Sequence, residues 1–293
     1  MAGFDLAQAF FRRHHPRRQF ADGRRQSRRR QILRQIAEDQ LIEEVPVAMV
    51  YNGVSHAVLL ATPCDLADFA LGFSLSEHIL HAPGELYDCE IVAGEHGVEL
   101  RLEIASARFA ALKQRRRSMA GRTGCGLCGV DSLDAVAQSI APLPLRPTLR
   151  AAAVARAVAE LPHWQPWHHA TGAAHGAAFC NADGDILLAR EDVGRHNALD
   201  KLIGALRRQR IDTGDGFVLV SSRASYEMVQ KTASAGIAAL VAVSAPTSYA
   251  VTLAESCGLL LAGFARPGRL VAYSQLPRLI CPELTRPHHD PVC

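Results

Sequence analysis

The sequence predicts a layered α/β protein, a large domain with a central sheet preceded by a smaller N-terminal α+β unit. Three observations lead there. After residue 149, short apolar runs alternate with amphipathic stretches of helical spacing. Before residue 105, two hairpin patterns flank one helical pattern. Between the two regions lies a stretch rich in Gly and then Pro that reads as loop and linker.

The elements follow in order. Residues 1–40 read as a basic, disordered tail: residues 12–34 hold ten arginines against one acid, Asp22, with no apolar period. Ordered sequence begins near Leu41, and residues 41–120 form the small unit. Val45 to Tyr51 and Val54 to Ala61 alternate as strands around Asn52-Gly53, a pair suited to the positive backbone angles of a type I′ turn. Thr62-Pro63 is expected to cap and open a helix whose apolar face holds Leu66, Phe69, Ala70, Phe73 and Leu75. A second hairpin turns at Glu95-His96-Gly97. Residues 121–148 hold a Gly-rich Cys-x-x-Cys loop, a short helix over 132–140, and a linker with Pro142, Pro144 and Pro147. Residues 149–281 form the α/β domain, with helices over 149–161, 196–208, 226–235 and 248–257. Its strands fall at 177–181, 186–190, 217–221, 238–244, 259–264 and 270–273. Residues 282–293 are a C-terminal tail.

Bulk composition limits the function. Hydrophobic residues make up 48% and charged residues 21%, ordinary for a soluble globular chain. No apolar run reaches the roughly 18 residues of a membrane span, and the start lacks the apolar core of a secretory signal. Of the eight cysteines, Cys125 and Cys128 form the one close pair; the other six lie singly, which points to a reducing cytoplasm. The Arg-rich tail could also dock an acidic partner or nucleic acid, but residues 12–34 interleave no aromatic beyond Phe20 for base stacking, which disfavours nucleic acid.

Four constellations could carry chemistry. Cys125-Gly126-Leu127-Cys128 suits a reactive thiol with a neighbour, a redox pair, or half of a zinc site. A structural zinc site needs four ligands, and no second Cys-x-x-Cys exists, so recruited His168, His169 or His175 would have to complete it. Arg122 and Arg115 to Arg117 would favour a thiolate. His175 with the run Glu191-Asp192-Val193-Gly194-Arg195-His196-Asn197 gathers two His, two acids, an Arg and an Asn, which suggests a site rather than lone structural histidines. Ser221-Ser222-Arg223-Ala224-Ser225 follows a strand and opens a helix, a pattern shared by phosphate sites and simple N-caps. Gly263 to Arg269, with Phe264, Arg266 and Arg269, reads as a solvated hairpin tip or as a loop for an anionic nucleotide.

These segments together resemble the FdhD/NarQ family, sulfur carriers needed for formate dehydrogenase activity. The matching stretches are Glu44 to Val47, Asp68 to Phe73, Cys125 to Gly129, Glu191 to Lys201, Ser221 to Arg223, Ser244 to Ser248 and Gly263 to Arg266. The long central motif is the specific one, and the resemblance covers residues 41–280. It implies a cytidine-deaminase-like fold, a homodimer, and a sulfurtransferase-type carrier. Sulfur would pass from a cysteine desulfurase, as a persulfide on Cys125 with Cys128 as its partner, to the molybdenum cofactor in its bis(molybdopterin guanine dinucleotide) form, for formate dehydrogenase. Phe264, Ala265, Arg266, Pro267, Gly268 and Arg269 match the loop associated with the cofactor. Ser222, Arg223 and His196 are added as candidate cofactor contacts, and no structural metal is expected. The alternative is a zinc-dependent deaminase-like hydrolase or a zinc-binding interaction module. Against a deaminase, His175 is followed by Gly176 and Ala177 with no Glu, and the Cys pair precedes that His.

Overall fold

The structure, a computed structural model, describes residues 40–281 apart from 121–139, with residues 116–120 described by backbone alone. Ahead of them it describes the backbone of β1 (His15–Gln19) and β2 (Gln35–Asp39), which pair antiparallel inside the stretch read as a disordered tail. Cys125, Cys128, residues 132–139 of the expected helix and the tail 282–293 lie outside the described residues.

The small unit is a four-stranded sheet of β3 (Val45–Tyr51), β4 (Val54–Ala61), β5 (Leu86–Gly94) and β6 (Gly97–Ile104), in the order β4-β3-β6-β5. Asn52 and Gly53 take φ of 44° and 78°, as the hairpin requires. Alternation along β3 and β6 puts Val47, Met49, Tyr51, Leu100 and Leu102 on one face. There they pack with Phe69 and Phe73 of α1 (Leu66–Ser76), which crosses over between the two hairpins. The expected cap at Thr62 is not found. Asp65, in the left-handed conformation at φ 51°, precedes the helix without a side-chain cap, and Thr62 bonds elsewhere. The polar helix α2 (Ser106–Ala120), unforeseen because its last turns hold Arg115 to Arg117, packs through Phe109 and Leu112.

The larger domain begins at β7 (Leu149–Arg150), paired with β14 (Leu279–Ile280), so its first helix, α3 (Ala151–Glu160), starts two residues later than expected. Next come α4 (Pro166–Thr171), β8 (His175–Asn181), β9 (Ile186–Asp192), α5 (Arg195–Arg208), β10 (Gly216–Val220), α6 (Tyr226–Ser234), β11 (Ala239–Ala242), α7 (Ser248–Cys257), β12 (Leu260–Arg266) and β13 (Arg269–Ala272). The sheet order is β13-β12-β11-β10-β8-β9. Strands β10, β11 and β12 run parallel, as their βαβ connections demand, while β8 and β13 are antiparallel to their neighbours. Strands β10 and β11 are buried throughout, as expected of a sheet covered on both faces. Leu199, Leu202, Met228 and Val229 cover one face from α5 and α6, together with Ala250 and Ala254 of α7. Val154, Ala157 and Val158 of α3 cover the other.

The two units meet along α1 and α5. Gly72 and Gly204 let the backbones touch: a Cβ at 72 would fall 1.7 Å from the Asp200 carbonyl oxygen, and one at 204 would fall 1.9 Å from that of Asp68. Asp68 adds a bridge, accepting from Arg190 at 2.8 Å and Arg208 at 2.6 Å.

Candidate functional site

Because β10, β11 and β12 are parallel, their carboxyl ends lie on one edge of the sheet. The start of β8 and the end of β9 lie there too, since His175 pairs with Asp192 across β8 and β9. That edge carries the N-termini of α5, α6 and α7, the place where open α/β sheets hold ligands. Strands β10 and β12 run parallel, so the motifs Ser221 to Ser225 and Phe264 to Arg269 both lie at this edge.

A groove of about 820 Å³ opens at this edge on the α3 side. Leu161 and Pro162 form an apolar wall, and Gln165, His168, His169, His175, Ser221 and Arg266 contribute the polar groups. Among the described residues no carboxylate lines it, so the surface they form offers donors and cationic charge. The short helix α4 forms here because Glu191, on β9, accepts the backbone N–H groups of Trp167 and His168, each at 2.8 Å. Burial pushes the Glu191 carboxyl up, against those two donors. His168 is fixed by Nδ1, 2.9 Å from the Ala174 carbonyl. His175 is held below its usual range by burial, with Arg195 and His168 acting in the same direction. Ser221 Oγ accepts from the Gly176 N–H at 2.9 Å. Arg266 Nη1 donates to the Val243 carbonyl and to that of Ala265 at 2.9 Å, which turns its guanidinium across the strand ends.

The other candidate residues are placed differently. Of the hairpin 264–269, Arg266 and Pro267 line the groove. Ala265 is fully buried in the core, and Gly268 supplies the turn at φ 79°. Phe264, at φ 51°, is 38% exposed beneath the guanidinium of Arg269, 5.4 Å away. Ser222 is buried, with its hydroxyl donating to the Arg223 carbonyl at 3.1 Å, and Arg223 is exposed. His196 Nε2 lies 2.7 Å from Glu227, across the N-termini of α5 and α6. These three share the edge but not the groove. Gln165, on the contrary, lines the groove and was not singled out, since a lone Gln between prolines carries no sequence signal.

The run Glu191 to Lys201 forms mostly a joint between the units. Lys201 and Asp192 are fully buried and 2.7 Å apart. Lys201 also donates to the Thr62 carbonyl at 2.9 Å, and Asp192 Oδ2 accepts the Thr62 N–H at 3.0 Å. Asn197 Nδ2 donates to Leu60 O at 2.8 Å and to Asp192 Oδ1 at 3.0 Å, while the Thr62 hydroxyl accepts from Val193 N at 3.2 Å. One turn further along α5, Asp200 accepts from Lys231 and from the Ser76 hydroxyl, and Lys231 also reaches Glu77 at 2.8 Å. Burial opposes the Lys231 charge, but Asp200 and Glu77 outweigh it and raise its pKa.

The chain on either side of residues 121–139 is anchored near the amino edge of the sheet. Arg115 donates to the Glu77 carbonyl at 3.2 Å, and the adjacent His78 lies 3.1 Å from Ser234 at the end of α6. On the return, Leu143 N donates to Cys257 O at 2.9 Å at the end of α7. Five residues of β10, roughly 15 Å of strand, separate this edge from the groove.

Residues 42–280 match a family model described as the FdhD/NarQ family. A protein of Variovorax paradoxus named sulfur carrier protein FdhD is 57% identical over 241 residues, 82% of this chain and 87% of the relative. A protein of the same name from Cupriavidus necator is 55% identical over 244 residues, 83% of this chain and 85% of the relative. A crystal structure of a candidate formate dehydrogenase accessory protein from Desulfotalea psychrophila superposes with a TM-score of 0.70. It is 22% identical and covers 92% of this chain and 100% of that one.

Proposed function

The chain belongs to the FdhD/NarQ family, and on that premise we propose that it is a cytoplasmic, homodimeric sulfur carrier that loads sulfur on Cys125 and delivers it to a guanine-dinucleotide molybdenum cofactor destined for formate dehydrogenase. Loading is a thiol exchange. The Cys125 thiolate attacks the terminal sulfur of a cysteine persulfide on the desulfurase, one S–S bond forms as another breaks, and the donor cysteine leaves as thiolate. No outside oxidant or reductant is needed for that step. Arg122 and Arg115 to Arg117 lie close in sequence and favour the thiolate form.

The observation that carries the delivery half is the groove. Among the described residues its lining holds Arg266, three histidines, Ser221 and Gln165 and no carboxylate, a surface suited to a bulky diphosphate-bearing ligand. The groove lies at the carboxyl edge of the sheet, and the described chain flanking the Cys loop is held by Arg115 at Glu77 and by Leu143 at Cys257. Intact-mass measurement after incubation with a cysteine desulfurase and cysteine tests the reading. A gain of one sulfur, about 32 Da, that a thiol reductant removes and Cys125→Ala abolishes is expected. No added sulfur on the wild-type chain would overturn it.

A further inference from the structure

Gln165 stands between a 3₁₀ turn (Leu161–Trp164) and α4, and only 5% of its surface is exposed. Its side chain lies flat against Gly176 at the start of β8. A Cβ on residue 176 would stand 2.5 Å from Nε2 and 2.7 Å from Cδ, so glycine there makes room for the amide. Nε2 is shielded from solvent and has no acceptor among the described residues. A buried amide donor with no partner is unfavourable, and a Met of the same length would fill the place without that penalty. Neighbouring polar groups in the wall already have partners: His168 Nδ1 meets Ala174 O, Ser221 Oγ accepts from Gly176, and Arg266 donates to two carbonyls. The terminal torsion of Gln is soft, so a small rotation presents this donor to whatever fills the groove.

We propose that Gln165 is the specificity-determining residue of this groove, donating its amide N–H to the 6-oxo group of a purine nucleoside diphosphate end. The inference rests on the cofactor reading above, in which the groove takes a nucleotide end of the cofactor. An oxo acceptor satisfies the orphan donor. A 6-amino group is itself a donor and leaves Nε2 without an acceptor. Arg266 holds charge and serves any nucleoside diphosphate, whereas Gln165 tells one base from another.

Calorimetry on the purified full chain tests this with GDP and ADP as probes. The wild-type chain is expected to prefer GDP. Gln165→Met, which keeps the length and removes the donor, should weaken GDP about tenfold, the upper range for a neutral hydrogen bond, and leave ADP within about twofold. A second comparison needs no variant: the wild-type chain should bind inosine diphosphate about tenfold more tightly than purine riboside diphosphate, which lacks the 6-oxo group and with it the N1 proton. Binding of GDP that is unchanged in Gln165→Met, or that falls equally with ADP, overturns the role of Gln165 while leaving the nucleotide reading of the groove intact. Equal binding of the two inosine-type probes overturns it as well. A wild-type chain that binds no nucleoside diphosphate overturns the nucleotide reading and this inference with it.

Discussion

Replacing Asp192 with alanine takes the anion out of the joint between the two units and leaves its partners in place. Asp192 and Lys201 are both fully buried and 2.7 Å apart. The same carboxylate accepts from Thr62 N at 3.0 Å, Gly194 N at 2.8 Å and Asn197 Nδ2 at 3.0 Å. The substitution strands a buried ammonium, which keeps the Thr62 carbonyl at 2.9 Å, and removes an acceptor from three N–H groups. Breaking a buried pair from one side costs about 3–5 kcal/mol. The orphaned donors push the total to the top of that range or about 1 kcal/mol beyond it, since such terms are not additive. In the double variant Asp192→Ala/Lys201→Met the stranded charge is gone, so the loss should fall short of the sum of the single losses by about 2 kcal/mol or more. Urea unfolding followed by circular dichroism, with the slope checked for constancy, measures all three. A loss below about 1 kcal/mol in Asp192→Ala, or strict additivity in the double variant, would refute the assignment of this motif to a structural joint.

Three further outcomes are expected. Cys125→Ala should abolish activation of formate dehydrogenase in a reconstituted assay, while Cys128→Ala retains part of it; full activity in the Cys125 variant would remove that thiol from the mechanism. Arg266→Ala should weaken GDP and ADP alike by roughly 1.5–3 kcal/mol if the guanidinium makes a charged hydrogen bond to the diphosphate, as read by calorimetry. Gly204→Ala places a Cβ 1.9 Å from the Asp68 carbonyl, so the helices must part; a loss of about 3 kcal/mol or more is expected, and an unchanged midpoint of thermal unfolding would show that α1 and α5 slide freely.

Legibility in the sequence followed the range of the interaction. The hairpin of β3 and β4 was read to the residue, because alternation and the Asn52-Gly53 turn act within a few positions. Helix α7 was expected over the same residues, 248–257; in the structure Thr247 caps it, accepting from Ala250 N, and Gly258 at φ 74° ends it. Thr62 shows the limit. By its position ahead of Pro63 it should cap a helix, yet its amide, hydroxyl and carbonyl are committed to residues about 130 positions away. Helix α4 shows it again: six residues do not hold a helix on propensity, and this one depends on a Glu191 carboxylate from β9.

For the site, the sequence by itself determined the family, the thiol pair, and the strand-end motifs at Ser221 and Arg266, because each is a short run of residue types with chemistry of its own. Only the tertiary structure decided which of those residues share a surface. It set Arg266 and Ser221 on one groove with His168, His169 and His175, turned Asp192, Asn197 and Lys201 inward as a joint, and left His196 with Glu227. It also placed the Gln165 amide against Gly176, with no acceptor for Nε2 among the described residues. The reason is physical: whether a buried polar atom has a partner depends on which distant backbone passes within about 3 Å of it, and that is fixed by sheet order and helix approach rather than by any spacing along the chain.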